Sequence, residues 1–278
     1  MAIVKKTLYY IVFAAAAYAV IKATTFGWIF WNPSYAGGGG RTRSELALKK
    51  HVVKLAGEIG PRDVFRNSTH RLKASVDYIS SELKSYGYKV DYQEYATSGV
   101  KVKNIIAVKP GLSAPGEIII VGAHYDSCDN PGADDNASGV AGVLELARRL
   151  ADKPAARTIK FLAFANEEPP FFRKSDMGSF VYASEAAKRK DDIKTAIVLE
   201  MIGYYSTEKF SQHYPPLIGP FYRNKGDYIA LVGNFSSRKA AGEISASFKS
   251  ASPLPIETAI LPAFVPGVDF SDHRSFWK

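Results

Sequence analysis

Cysteine occurs once in 278 residues, as Cys128. A lone thiol excludes an internal disulfide and any cysteine-rich zinc cluster. Long basic runs are missing as well. The 36 basic and 27 acidic residues give a net charge of +9, yet lysine and arginine gather only in pairs such as Lys5-Lys6, Lys49-Lys50 and Arg148-Arg149 and in the triplet Lys188-Arg189-Lys190. That scatter suits a solvated surface and argues against nucleic acid as a partner, while attraction to an anionic membrane or peptide stays open. No segment repeats, and histidine is scarce: His51, His70, His124, His213 and His273 are the five present. An imidazole-based metal site must draw on these.

What is present divides into three parts. Residues 1–36 begin with Lys5-Lys6 and continue as a long apolar stretch from Thr7 to Trp31, broken only by Lys22. The uninterrupted piece, Leu8 to Ile21, has the length of a signal-peptide core, whereas the whole stretch is long enough to span a bilayer, which takes about 20 residues. We expect an N-terminal membrane segment, either a single-pass anchor with the domain outside the cytoplasm or a signal whose cleavage near Ser34-Tyr35-Ala36 yields a secreted or periplasmic protein. Residues 37–44, opening on four glycines, read as a flexible linker. Residues 45–278, within a chain that is 46% hydrophobic, suffice for one main core domain.

In that domain, Leu72, Val76, Ile79 and Leu83 recur at helical spacing and Gly87 closes the run. Two alternating stretches, "YKVDYQEY" and "VKNIIAVKPG", suit edge or antiparallel strands. "EIIIVGAH" is apolar throughout, as a strand buried on both faces would be. A helix near Ser138–Ala151 follows, then "TIKFLAFA", the helical "GSFVYASEAAKRK" and "TAIVL"; "GDYIALVG", a helix around Ser236–Lys249 and "LPIETAIL" extend the alternation. Alternating strands and helices predict an α/β domain with a mostly parallel central sheet.

The chemistry collects where these strands stop. In open sheets of this kind, ligands bind beyond the carboxyl ends of the strands. Three apolar strands run straight into His124, Glu167-Glu168 and Glu200, and "GADDNASG" places Asp134 and Asp135 just before a helix. Each has a structural explanation by itself: a satisfied buried histidine, a turn and helix cap, an exposed loop start, a salt-bridge partner. Together at one sheet edge, the carboxylates would repel unless a cation neutralised them. Imidazole plus carboxylate without thiolate suits zinc or another borderline metal.

Taken in order, "GAHYDS", "PGADDNASGV", "FANEEPP", "LEMIG" and "SDHRSF" resemble the co-catalytic zinc aminopeptidases of metallopeptidase family twenty-eight, which also contains the glutaminyl cyclases. The resemblance runs from about Leu46 to Lys278. It implies a phosphorylase/hydrolase-like three-layer α/β/α sandwich, two zinc ions and a peptide substrate cleaved at its N-terminal bond. Carried onto this chain, it makes His124 and Glu200 terminal ligands of one zinc, Asp134 the bridging ligand and Glu168 a ligand of the second. Glu167 becomes the general base, and Asp135 joins the catalytic set, linked to the bridging ligand through a cis peptide. Asp272 resembles an acid that orients a ligand or water.

Two departures stand out: Glu200 occupies a position usually held by aspartate, and the family's last histidine ligand has no counterpart after "SDH", so the second zinc site is expected to be incomplete. Three readings follow: a two-zinc aminopeptidase whose sequence is cut short, a single-zinc relative similar to the cyclases, or a non-catalytic binding protein on the same fold. Phe171, Phe172, Tyr204 and Tyr205 are candidates for pocket walls or for core.

Overall fold

The computed structural model describes residues 42–65, 68–212, 214, 222–265 and 267–277. The chain divides into two compact units, one formed by Gly39–Tyr204 with Ile229–Lys278 and the other by Met1–Gly38 with Tyr205–Tyr228. Within the described part of the latter, Ser206 N–H donates to the Gly226 carbonyl (2.8 Å), Gly226 N–H donates to Ser211 Oγ (2.9 Å), and Arg223 pairs with Asp227 (2.9 Å). The larger unit carries the central sheet.

It begins with helix α1, Arg43–Val52, whose start is fixed by a capping box: Thr42 Oγ1 accepts from Glu45 N–H and the Glu45 carboxylate accepts from Thr42 N–H. The expected linker thus gives way to ordered helix by residue 43, and its residues 37–41 lie outside the described part. A π-helical turn, Val53–Ile59, extends α1 to Gly60, whose φ of 83° ends it. Helix α2, Thr69–Ser85, buries Leu72, Val76, Ile79 and Leu83, the residues its spacing predicts. Gly87, at φ 89°, stops it, with Tyr88 N–H reaching back to the Leu83 carbonyl.

The central sheet has five strands: β1 Val90–Thr97, β2 Val100–Lys109, β3 Ala114–His124, β4 Arg157–Phe164 and β5 Asp192–Val198, in the order β1-β2-β4-β3-β5. β3 runs parallel to both of its neighbours, β4 and β5, whereas β2 is antiparallel to both β1 and β4. The sheet is therefore mixed, correcting the expectation of a mostly parallel one. The cause is local. Ser98 and Gly99, both at positive φ (48° and 76°), make a two-residue turn, and such a turn can join only antiparallel strands.

Helix α3, Gly139–Leu150, links β3 to β4, and helix α4, Gly178–Arg189, links β4 to β5. The two faces of the sheet are covered separately. Val121, Ala123, Phe161 and Ala163 pack with residues of α2 and α3, while Ile118, Ile120, Leu162 and Phe164 pack with Tyr182 and Ala186 of α4 and with Phe276. Burial on both sides explains why β3 is apolar without alternation. A second, two-stranded parallel sheet, β6 Ile229–Gly233 with β7 Ile256–Ile260, is connected through helix α5, Arg238–Ala251. These strands do not extend the main sheet.

The expected membrane segment, residues 1–36, lies outside the described part, and among the described residues no helix is long and apolar enough to cross a membrane. The single-pass anchor, the membrane as partner and the location outside the cytoplasm are thus carried by no described residue.

Leu83, at 2% exposure in the α2 interface, tests the layer packing. Leu83→Ala is expected to lower unfolding free energy by about 2–5 kcal/mol. Urea denaturation showing a loss under about 1 kcal/mol would contradict the packing described.

Candidate metal centre

Register brings the site together. In the β3–β4 ladder His124 stands opposite Phe164, and in the β3–β5 ladder Gly122 stands opposite Val198. β3 and β4 thus end level, and β5 ends two positions short of them. His124 closes β3, Glu167 follows β4 by three residues and Glu200 follows β5 by two, so all three emerge at one edge.

His124 is fully buried. Its Nε2 lies 3.2 Å from Asp135 Oδ1, 3.4 Å from Glu200 Oε1 and 3.9 Å from Glu167 Oε2, and its Nδ1 lies 3.3 Å from Asp126 Oδ1. Neither ring nitrogen completes a well-formed hydrogen bond. Burial opposes a proton on the ring, but Glu200, Asp126 and Asp135 outweigh it and hold the imidazole well above its ordinary value.

The loop between β3 and α3 decides which aspartate faces the ring. Gly132 turns it at φ 59°, where an added Cβ would come within 2.2 Å of the Asp135 carbonyl oxygen and 2.6 Å of Ser127 Cβ. Asp135 and Asn136 then leave helical geometry (φ −101° and −132°), with a cis peptide between them. Asn136 fastens the loop to the end of β5. Its Nδ2 donates to the Leu199 carbonyl (2.9 Å) and to Glu200 Oε2 (3.2 Å), and its Oδ1 accepts from Gly139 N–H (3.0 Å). Asp134 is occupied elsewhere: its carboxylate accepts from Gly203 N–H (2.7 Å) and from the Ser138 hydroxyl (3.1 Å). Asp135, not Asp134, therefore meets His124, and the cis bond falls one residue later than the resemblance places it.

Glu200 is oriented by Ser271, whose hydroxyl donates to Oε2 (2.7 Å), leaving Oε1 toward the ring. Glu167 is 7% exposed; burial pushes its carboxyl well up, against the pull of His124 and with Asp272, Glu200 and Asp126 adding to the rise. Glu168 is raised too, by burial and then by Asp135. Asp272 is fully buried next to the last 3-10 turn, and burial lifts its carboxyl above the ordinary range despite His124. His273 does not turn inward: its Nε2 donates to the Val268 carbonyl (2.7 Å), and its ring packs edge-on against Trp277. Phe171 belongs to the core, stacked on Phe65, whereas Phe172 meets Phe270 edge-on.

Sequence reasoning passes over Asp126. It is 2% exposed, and its two oxygens accept from the backbone N–H groups of Glu167 and Glu168, 3.1 Å each, so one carboxylate ties the β4 loop to the end of β3. The same residue faces His124 Nδ1, favouring a proton there and a free Nε2 lone pair. The two-residue step from His124 to Asp126 at the end of a buried strand is the signal that could have found it.

Among the described residues one group of candidate metal ligands forms, His124, Asp135 and Glu200, with donor atoms all within 4.8 Å of one another. Zinc ligands at about 2.0–2.2 Å in tetrahedral array stand roughly 3.3–3.6 Å apart, close to the 3.2 and 3.4 Å separations from Nε2. With a buried imidazole lacking a well-formed hydrogen bond and two carboxylate oxygens converging on it, the residues fit zinc. No second group appears among the described residues, so the second zinc of the family pattern remains without a complete site.

Fold and ligand set define a zinc-dependent, metallopeptidase-like α/β protein. Residues 104–276, more than half of the chain, match the profile described as Peptidase family M28. The chain belongs to that family. It is 40% identical over 248 residues to the "Uncharacterized protein YfbL" of Escherichia coli (strain K12), covering 86% of this chain and 75% of that protein. The chain spans half or less of the length of further curated relatives, fungal probable zinc metalloproteases among them.

Among solved structures, a Zn-dependent exopeptidase from Parabacteroides distasonis ATCC 8503 is similar at TM-score 0.57 and 22% identity, covering 85% of this chain and 80% of that one. A Bacteroides thetaiotaomicron glutaminyl cyclase is similar at TM-score 0.56 and 19% identity, covering 84% and 78%. At these identities the two establish the fold alone.

Removing metal should expose the charge crowding. For Glu167, Glu168, Asp272 and His124, the folded state holds protons more tightly than the unfolded chain does. Their stabilisation is complete below the unfolded pKa values and is lost as pH rises. The melting temperature of chelator-treated protein should therefore fall between about pH 5.5 and pH 8, and zinc should restore it at the upper end. A melting temperature that climbs over that range without metal, or ignores zinc, would contradict the arrangement.

Proposed function

We propose that this chain is a single-zinc enzyme of its family that acts on the amino-terminal residue of a peptide, with hydrolysis of the first peptide bond as its reaction. The observation that supports it best is one imidazole-carboxylate-carboxylate cluster with the buried carboxyl of Glu167 3.9 Å from its imidazole. Zinc held by His124, Asp135 and Glu200 would supply Lewis acidity and lower the pKa of water.

The protein's own groups do the rest. Glu167, ionised once a cation offsets the neighbouring carboxylates, takes the proton of the attacking water and returns it to the departing amine, a role that suits a buried carboxylate 3.9 Å from the imidazole of the cluster. Asp126 holds both glutamate backbones, so the base keeps its place while the proton moves. Glu168, partly exposed at the mouth, and the other carboxylates favour a cationic α-amine over an anionic chain end.

A second reading rests on the single metal group: a one-metal centre also suits cyclisation, in which the α-amine of an N-terminal glutamine attacks its own side-chain carbonyl and ammonia leaves. The two reactions share the end of the substrate and differ in nucleophile. The zinc-loaded chain, given aminoacyl-p-nitroanilides and a glutaminyl peptide in parallel, is expected to release p-nitroaniline. Glu167→Gln should reduce kcat by about 10²- to 10⁴-fold with zinc content unchanged. Activity surviving that substitution would remove Glu167 from its role. Turnover of the glutaminyl peptide alone would favour cyclisation, and turnover of neither would leave a binding protein.

A further inference from the structure

Arg62 is fully buried, yet the hydrolytic reading gives it nothing to do. Its guanidinium donates to five backbone carbonyls. Nε reaches Tyr125 O (2.8 Å), Nη1 reaches Leu55 O (3.0 Å), Gly60 O (2.9 Å) and Pro131 O (2.6 Å), and Nη2 reaches Gly132 O (3.2 Å). Its backbone is tied to the same connector: Arg62 N–H donates to Ser127 Oγ (3.1 Å), and Ser127 N–H donates to the Arg62 carbonyl (2.9 Å).

These acceptors are not scattered. Tyr125 lies between His124 and Asp126, while Pro131 and Gly132 lead directly into Asp135. Leu55 and Gly60 belong to the turn that closes α1. One planar fork thus binds the residue after the histidine ligand, the residues before the aspartate ligand, and a fixed point on the N-terminal helix. The planar guanidinium can do this from three nitrogens at once, with Nη1 sharing its two N–H groups among three carbonyls; the single nitrogen of a lysine cannot.

The charge has a second consequence. Burial lowers the guanidinium to about 10, while Asp126, Asp135 and Glu168 hold it up, so it stays cationic at neutral pH. Among the described residues, all five side-chain bonds of Arg62 end on carbonyls and none on a carboxylate. A cation that paired directly with Asp135 would occupy a metal ligand; Arg62 offsets the negative charge and leaves those oxygens free.

We propose that Arg62 is a positioning residue of the zinc centre, holding the His124 and Asp135 segments as one rigid unit and supplying fixed positive charge that consumes no ligand atom. This rests on the zinc site proposed above but not on turnover, so it is tested by metal binding. Arg62→Lys in the full chain keeps the charge and loses the fork. Zinc affinity measured by chelator competition should fall about 10- to 100-fold, the size expected when an outer partner of a ligand is removed, and the visible spectrum of the cobalt-substituted protein should change.

Leu83→Ala serves as a control for stability alone and should leave both readouts at wild-type values. Ser127→Ala, a smaller change that loosens the same tie, should weaken zinc binding at least about threefold and keeps the question open to test if Arg62→Lys does not fold. Wild-type zinc affinity and an unaltered cobalt spectrum in a folded Arg62→Lys or in Ser127→Ala would overturn the proposal and leave Arg62 a core residue. A wild-type chain that binds zinc without turnover would sink the hydrolytic reading and leave this one standing, whereas a chain that binds no zinc would end both.

Discussion

Mutual repulsion among carboxylates gathered in one poorly hydrated cleft is the constraint on which the rest of the structure depends. Asp126, Glu167 and Asp272 are buried, Asp135, Glu168 and Glu200 are partly so, and a single fully buried imidazole lies among them. Such a group is costly to fold unless protons, hydrogen bonds or a cation offset it. Each device is visible. Protons are held more tightly than usual on Glu167, Glu168 and Asp272. Hydrogen bonds fix Asp126, through the two glutamate amides, and Glu200, through Ser271 and Asn136. What is left pointing inward is His124 Nε2 with one oxygen each of Asp135 and Glu200, a set that fits a divalent ion.

The scaffold makes this crowding possible by putting the load at strand ends rather than within them. Parallel pairing of β3 with β4 and β5 aligns their carboxyl termini, and burial of both sheet faces anchors the strands rigidly. The loops need only a few residues beyond the sheet to reach a common point. Their freedom is removed in turn by Gly132, Asn136 and Arg62, each of which joins a ligand-bearing loop to something fixed. Chemistry at the edge and rigidity beneath it are two aspects of one arrangement.

Much of this was legible before any coordinates. The spacing of Leu72, Val76, Ile79 and Leu83 defines α2 because a helix face must be apolar at that period, and the five ordered motifs identify the family. The alternation in β1 and β2 marks them as edge or antiparallel strands, as their pairing has it, but the turn that joins them rests on positive φ angles at Ser98 and Gly99, which no apolar pattern records. Nor does adjacency tell Asp134 from Asp135. The choice depends on Gly203 N–H, 69 residues further along, which takes up the first carboxylate. Arg62 escaped because its partners are backbone carbonyls, three of them in segments 63 to 70 residues away, and backbone leaves no mark in a side-chain pattern.

The central claim is that one zinc is held by His124, Asp135 and Glu200. It is tested most directly by X-ray diffraction at the zinc absorption edge from crystals of the zinc-loaded full chain. The account predicts one strong anomalous peak bonded to His124 Nε2, Asp135 and Glu200. A peak placed away from His124, two peaks of equal strength, or none at all would contradict it.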